Sequence, residues 1–98
     1  MPKGYWIAHV AVDDLDEYQE YVRRAAKAFE KHGARFLARA GKAEEMEGGL
    51  GRGRHVVIEF PSFQAAVDCY HSDEYRHARD ARAGVSNAYI TVVEGFED

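Results

Sequence analysis

One cysteine, two prolines and one tryptophan occur in 98 residues, and the shortage of cysteine alone removes several classes of protein. Cys69 has no partner for a disulfide within the chain, and no second cysteine is present for a thiolate zinc cage. No apolar run approaches the roughly 20 residues that a membrane-crossing helix needs. Met1-Pro2-Lys3-Gly4 leads straight into a strand-like segment without a signal-peptide core, so the expected compartment is the cytoplasm. Basic charge is also short: 13 lysines and arginines against 17 acids leave a net charge of -4 and a pI near 5.7. Surfaces that bind nucleic acid or anionic membrane carry a basic patch, so neither is an expected partner. What is present is an ordinary globular composition, 46% hydrophobic and 31% charged. A chain of this length buries one core and not two, which predicts a single domain over residues 1–98.

The hydrophobic pattern orders the elements. Gly4 to Val12 is aromatic and aliphatic and too short for a helix, so it reads as a strand. Asp13 and Asp14, with Glu17 following, mark a helix start. Leu15, Tyr18, Val22, Ala25, Ala26 and Phe29 then recur on one face, and Gly33 after His32 marks the end. Arg35 to Ala40 alternates as a second strand, with Phe36 and Ala38 on one side and Arg35, Leu37 and Arg39 on the other. Gly41 is placed to bend it before Lys42 to Glu47 continue the extended path. The glycine-dense run from Gly48 to Gly53 reads as a loop that closes over a cavity or turns the chain. It lacks the phosphate-cradling spacing and enters a strand, not a helix. Arg54 to Phe60 is a third strand, Ser62 caps a helix carrying Phe63, Ala66, Val67 and Tyr70, and a break near His71 lets Ser72 cap a further helical segment. Asn87 to Glu94 is the last strand. The fold class is therefore α+β, a ferredoxin-like βαββαβ with an antiparallel four-stranded sheet and the helices on one face.

Helices on one face leave the other face bare. Alternation sends Val56, Ile58, Phe60, Ile90 and Val92 toward the helices and His55, Val57, Glu59, Tyr89, Thr91 and Val93 away from them. The first strand is apolar on both sides. With Trp6, Ala8 and Val10 turned inward, Tyr5, Ile7 and His9 join the bare face. At roughly 25 cal/mol per Å² of apolar surface, covering such a face with a second copy is the economical solution, so a homodimer by sheet-face packing is expected.

Several segments carry a resemblance to a known family: GYWIAHV, the Tyr18 and Tyr21 pair, FLARAG, RHVVIEFPS, Cys69-Tyr70-His71-Ser72-Asp73-Glu74-Tyr75, and Arg82. Together they resemble domain-of-unknown-function family 1330 over nearly the whole chain. The resemblance implies membership of the dimeric α+β barrel superfamily. That superfamily includes small monooxygenases, haem-degrading enzymes and chlorite-dismutase-like proteins, while the family itself has no established reaction to carry over. The family pattern falls on Arg39, Gly41, Glu59, Phe60, Tyr70, Ser72, Tyr75, Arg82 and Gly95. Cys69 departs from it, standing where similar sequences commonly have an aromatic.

Two clusters are candidate sites. Arg39 and Glu59, with His9, are expected on the open face, where a guanidinium would clamp a carboxylate or enolate oxygen and Glu59 or His9 would accept a proton. The alternative is an Arg39–Glu59 ion pair that fixes dimer register. Tyr70, Ser72, Tyr75 and Arg82 surround the helix break and would hold a ligand carboxylate. Alternatively Ser72 is a cap, the tyrosines are core aromatics and Arg82 is a charge at a helix C-terminus. His71 and His77, near Asp73, Glu74 and Asp80, lie six residues apart, which places them on different sides of a helix, so no metal site is expected. Cys69 reads as a small buried hydrophobe. The functional expectation is an uncharacterised homodimer whose inter-sheet or sheet–helix cavity binds a small anionic or aromatic molecule, with no cofactor. A cofactor-free oxygenase or isomerase and a purely structural dimerisation module are the alternatives.

Overall fold

Alternation of Trp6, Ala8 and Val10 with Tyr5, Ile7 and His9 sinks one face of strand β1 (Gly4–Val12) into the core and leaves the other half-exposed. In the computed structural model, which describes residues 2–49 and 51–97, β1 is followed by helix α1 (Leu15–Lys31), strands β2 (Arg35–Arg39) and β3 (Arg54–Phe60), helices α2 (Phe63–His71) and α3 (Asp73–Arg82), and strand β4 (Ser86–Glu94). Met1 of the opening segment and Leu50 of the glycine-dense loop lie outside the described residues. The four strands form one antiparallel sheet in the order β2-β3-β1-β4. This is the ferredoxin-like βαββαβ arrangement, its second helix divided in two at Ser72.

Local chemistry sets the boundaries. Asp14 caps α1 by accepting the Glu17 N–H at 3.1 Å, and Gly33, at φ 73, takes the left-handed turn that follows its last residue. Ser62 Oγ accepts the Ala65 N–H at 3.0 Å to start α2. Ser72 Oγ accepts the Tyr75 N–H at 3.1 Å to start α3 while donating to the Cys69 carbonyl at 2.7 Å. One serine thus ends one helix and begins the next. Gly4 admits no side chain: a Cβ there would stand 2.4 Å from the Ser62 carbonyl oxygen, because the start of α2 passes directly over β1.

The second strand departs from the expected pattern. Phe36 pairs with Ile58, but Ala38 pairs with Val57 and Arg39 with Val56, so Leu37 is an extra residue in a β-bulge. A bulge shifts every later side chain to the opposite face. Ala38 therefore sits on the open face and Arg39 on the helix face, reversing the assignment from simple alternation. The irregularity is at Leu37 and not at Gly41, and the strand ends at Arg39, where Ala40 takes φ 55. Residues 41–47 form no strand.

The core centres on Trp6, whose ring meets Phe29, Phe60, Tyr70 and Tyr75 at centroid distances of 5.3, 5.5, 5.8 and 5.0 Å. Its Nε1–H donates to the Ala66 carbonyl at 2.8 Å. Along α1 the buried set is Tyr18, Ala25, Ala28 and Phe29. Ala26 and Leu15, expected inside, are exposed: Leu15 lies on the first turn beyond the sheet's cover, and Ala28 takes the inward position assigned to Ala26. Phe63, at the start of α2, is 38% exposed.

Replacing Trp6 with Phe removes one buried hydrogen bond and part of the central volume. We expect a loss of about 1–3 kcal/mol, measured as a lower urea midpoint by circular dichroism with an unchanged native spectrum.

Candidate functional site

Beneath the helices, on the face opposite the bare one, the sheet and α1 enclose a cavity of about 50 Å³. Its floor is the inward row of the sheet, including Ala8, Val10, Val56 and Ile90, and its wall is the Tyr18, Tyr21 and Val22 side of α1. Three guanidinium groups enter this apolar space: Arg39 at the end of β2, Arg54 at the start of β3 and Arg82 at the end of α3. None of the described lining residues is acidic.

Aromatic rings position each cation. Arg39 Cζ lies 4.2 Å from the Phe36 centroid, Arg54 Cζ 5.4 Å from Tyr18 and Arg82 Cζ 5.5 Å from Tyr21. The Tyr21 and Tyr75 hydroxyls are 2.8 Å apart, so one donates to the other, and Arg82 stands beside both. Burial raises the phenols of Tyr18, Tyr21 and Tyr75 above their ordinary range, Tyr21 furthest. They stay protonated and act as donors. The Nε atoms of Arg54 and Arg82 are buried and make no hydrogen bond to any described residue. A buried donor without an acceptor is costly, and an anion entering the cavity would supply one.

The sequence-derived clusters are redistributed. Arg39 and Glu59 do not share a face. The bulge turns Arg39 into the sheet–helix cavity, while Glu59 faces the open side, where its cross-strand partner on β2 is Arg35 and its Oε2 accepts from Tyr5 Oη at 3.3 Å. An Arg39–Glu59 ion pair fixing dimer register is therefore ruled out. His9 is also on the open face and meets His55, not Glu59. Of the second cluster, Tyr75 and Arg82 do come together, joined by Tyr21. Tyr70 stacks at 5.4 Å on Tyr75 and shares a separate cleft with Arg82 along β4. Ser72 is committed to its two caps. Arg54, Tyr18 and Tyr21 were missed as site residues. Arg54 was available from alternation, since it shares parity with Val56 and Ile58.

The described residues contain no group of three or more His, Cys, Asp or Glu arranged to hold a metal ion. No described helix is long and apolar enough to cross a membrane. Cys69 is buried, its thiol pushed up to about 12 by burial and then by Glu74, and its Sγ lies 3.6 Å from the Ala28 carbonyl.

A ferredoxin-like sheet with a cation-lined space beneath its helices defines the class. The chain belongs to the family described as "Domain of unknown function (DUF1330)", whose profile matches residues 3–96. Comparison with curated proteins gives no match. Among solved structures, the RPA0582 protein of unknown function from Rhodopseudomonas palustris aligns with a TM-score of 0.76 at 16% identity, over 99% of this chain and 85% of that one. SnoaB from Streptomyces nogalater, described as a cofactor-independent oxygenase, aligns with a TM-score of 0.66 at 12% identity, over 100% and 97%. A dimeric ferredoxin-like protein of unknown function from Thermobifida fusca aligns with a TM-score of 0.61 at 12% identity, over 95% and 91%. At these identities the likeness establishes the fold.

Cys69 and the three phenols all hold their protons to higher pH in the folded chain than in the unfolded one. Above the unfolded values the native state binds more protons, so stability falls as pH climbs from 9.0 toward 12. We expect denaturant midpoints to drop across that window. Below it, the native thiol should resist a disulfide reagent at pH 8 and react only after unfolding.

Proposed function

We propose that the chain works as one ferredoxin-like domain, residues 1–98, whose sheet–helix cavity receives the carboxylate of a small organic anion. The observation that carries this reading is the convergence of Arg39, Arg54 and Arg82 on one apolar cavity without an acidic residue in its lining, in a chain of net charge -4. Cations that merely solvate a surface would not be expected to gather around a largely apolar lining. Tyr21 and Tyr75 add phenolic O–H groups beside Arg82, suited to the same oxygens. Size narrows the class. At about 10–15 Å³ for each water-sized group, the 50 Å³ cavity takes a carboxylate head with one or two carbons, and a fused aromatic system would have to remain at the mouth. Tyr70 borders the neighbouring cleft beside Arg82, where such a body would lie.

An oxygenase reading draws on the description of SnoaB and on guanidinium groups that would stabilise an enolate. The described lining contains no carboxylate or imidazole to take a proton, and burial keeps its phenols protonated. Binding is therefore the reading that the geometry favours over turnover, whether by an oxygenase or an isomerase.

The domain would act as a homodimer with the open sheet faces together. That face exposes Tyr89 at 53% and Val93 at 45%, beside Tyr5, Ile7 and Val57. The proteins of the same fold from Thermobifida fusca and Bacteroides fragilis are described as dimeric. A cytoplasmic setting suits the lone reduced thiol.

Titration calorimetry with acetate and pyruvate tests the pocket. Binding of at least one anion is expected, and Arg82→Met should weaken it tenfold or more, because a hydrogen bond to a charged group contributes about 1.5–3 kcal/mol. No heat with either anion at millimolar concentration, or equal affinity in the variant, would overturn the assignment. For the assembly, sedimentation should show a dimer at micromolar concentration and a folded monomer for Val93→Glu. A native monomer would remove the sheet-face pairing.

A further inference from the structure

Two histidines 46 positions apart in sequence meet on the open sheet face. His9 on β1 and His55 on β3 are directly paired across the antiparallel ladder, and their Nδ1 atoms are 2.9 Å apart. Their rings stand at 74° to one another with centroids 5.1 Å apart. Both residues are half-buried. We propose that His9 and His55 form a two-imidazole chelating site for a divalent transition metal that favours square or tetragonal nitrogen coordination, Cu2+ first and Ni2+ after it.

The argument is one of distance. With metal–nitrogen bonds of about 2.0–2.1 Å, two nitrogens 2.9 Å apart subtend about 90° at a shared ion. That is the cis angle of square-planar and octahedral complexes. A tetrahedral zinc site would require the two nitrogens to spread to roughly 3.3 Å. In the unmetallated pair one Nδ1–H donates to the other Nδ1. Metal entry needs both Nδ1 lone pairs, so that proton moves to Nε2 of the same ring through solvent and both imidazoles remain neutral. Each ring then turns by roughly 45°, so that its lone pair leaves the N–N line and the two meet at one point.

This face is the one that the proposed homodimer sets between its two sheets, so the pair would stand at that interface. Tyr89 is the β4 neighbour of His9, and Arg52 stacks on the Tyr89 ring at 3.7 Å while its guanidinium donates to the Asn87 side-chain Oδ1 at 2.7 Å. Glu59 is four residues along β3 from His55, too far to ligate the same ion. The described residues offer no third ligand, so water would complete the coordination. The site is independent of the arginine cavity, which lies on the other face of the sheet.

Copper titration of the full chain, followed by visible absorption and electron paramagnetic resonance, tests it. The expected result is one Cu2+ per chain with an axial spectrum showing nitrogen ligation. His9→Gln and His55→Gln should each weaken binding at least tenfold, with circular dichroism verifying that they fold. His71→Gln together with His77→Gln should leave binding unchanged. Copper that persists in His9→Gln and His55→Gln, or that follows His71 and His77, would overturn the proposal. So would a spectrum without nitrogen ligation.

Discussion

The indole of Trp6 is the contact on which the remaining arrangement depends. It projects from the third position of a central strand into the space under the helices, touching α1 through Phe29 and α2 and α3 through Tyr70 and Tyr75. Its Nε1–H bond to the Ala66 carbonyl fixes where α2 crosses the sheet, and the same crossing excludes any side chain at Gly4. From that crossing the chain runs through the Ser72 double cap into α3, and α3 delivers Tyr75 to Tyr21 and Arg82 to the cavity. The arginine is thus positioned by the aromatic cluster, which reaches it through Tyr75 and Tyr21. Because buried aromatic packing tolerates little displacement, the geometry around Arg82 is inherited from the core.

A single extra residue divides the chemistry of the two sheet faces. Had β2 run without the bulge at Leu37, Arg39 would face the open side opposite His55, four residues along the sheet from Glu59. With the bulge, Arg39 joins Arg54 and Arg82 beneath the helices, and Glu59 remains opposite Arg35. One face then gathers guanidinium groups in an apolar enclosure, and the other gathers imidazoles among exposed apolar residues. The two sets are separated by the thickness of the sheet.

How much of this was legible in the sequence follows from the range of each interaction. Strand and helix positions come from local periodicity and caps, so β3 and the Ser72 break could be read directly, and the family resemblance pointed to the same fold; β1, apolar on both faces, left its phase open. The site was less legible. Alternation already put Arg54 on the inward row with Val56 and Ile58, yet a charged residue on an inward row was not taken as a site residue. Arg39 was assigned to the wrong face because nothing in Arg35-Phe36-Leu37-Ala38-Arg39 marks Leu37 as the extra residue. The bulge is visible only in the pairing with β3. The His9–His55 contact escaped for the same reason: spacing along the chain judges histidines on one helix, and this pair is made by cross-strand register.

The arginine cavity also carries an energetic asymmetry that bears on its role. Arg54 and Arg82 each bury an Nε–H that no described residue accepts. Leaving such a donor unpaired costs about 1–3 kcal/mol, and packing the space with apolar side chains would remove that cost. Stacking on Tyr18 and Tyr21 offsets it in part, since the ring faces attract the guanidinium groups. Both residues line the cavity where the proposed carboxylate would sit, and an anion that accepted from them would recover part of that cost on binding. In a purely structural module the same two buried donors would cost stability with nothing to return it.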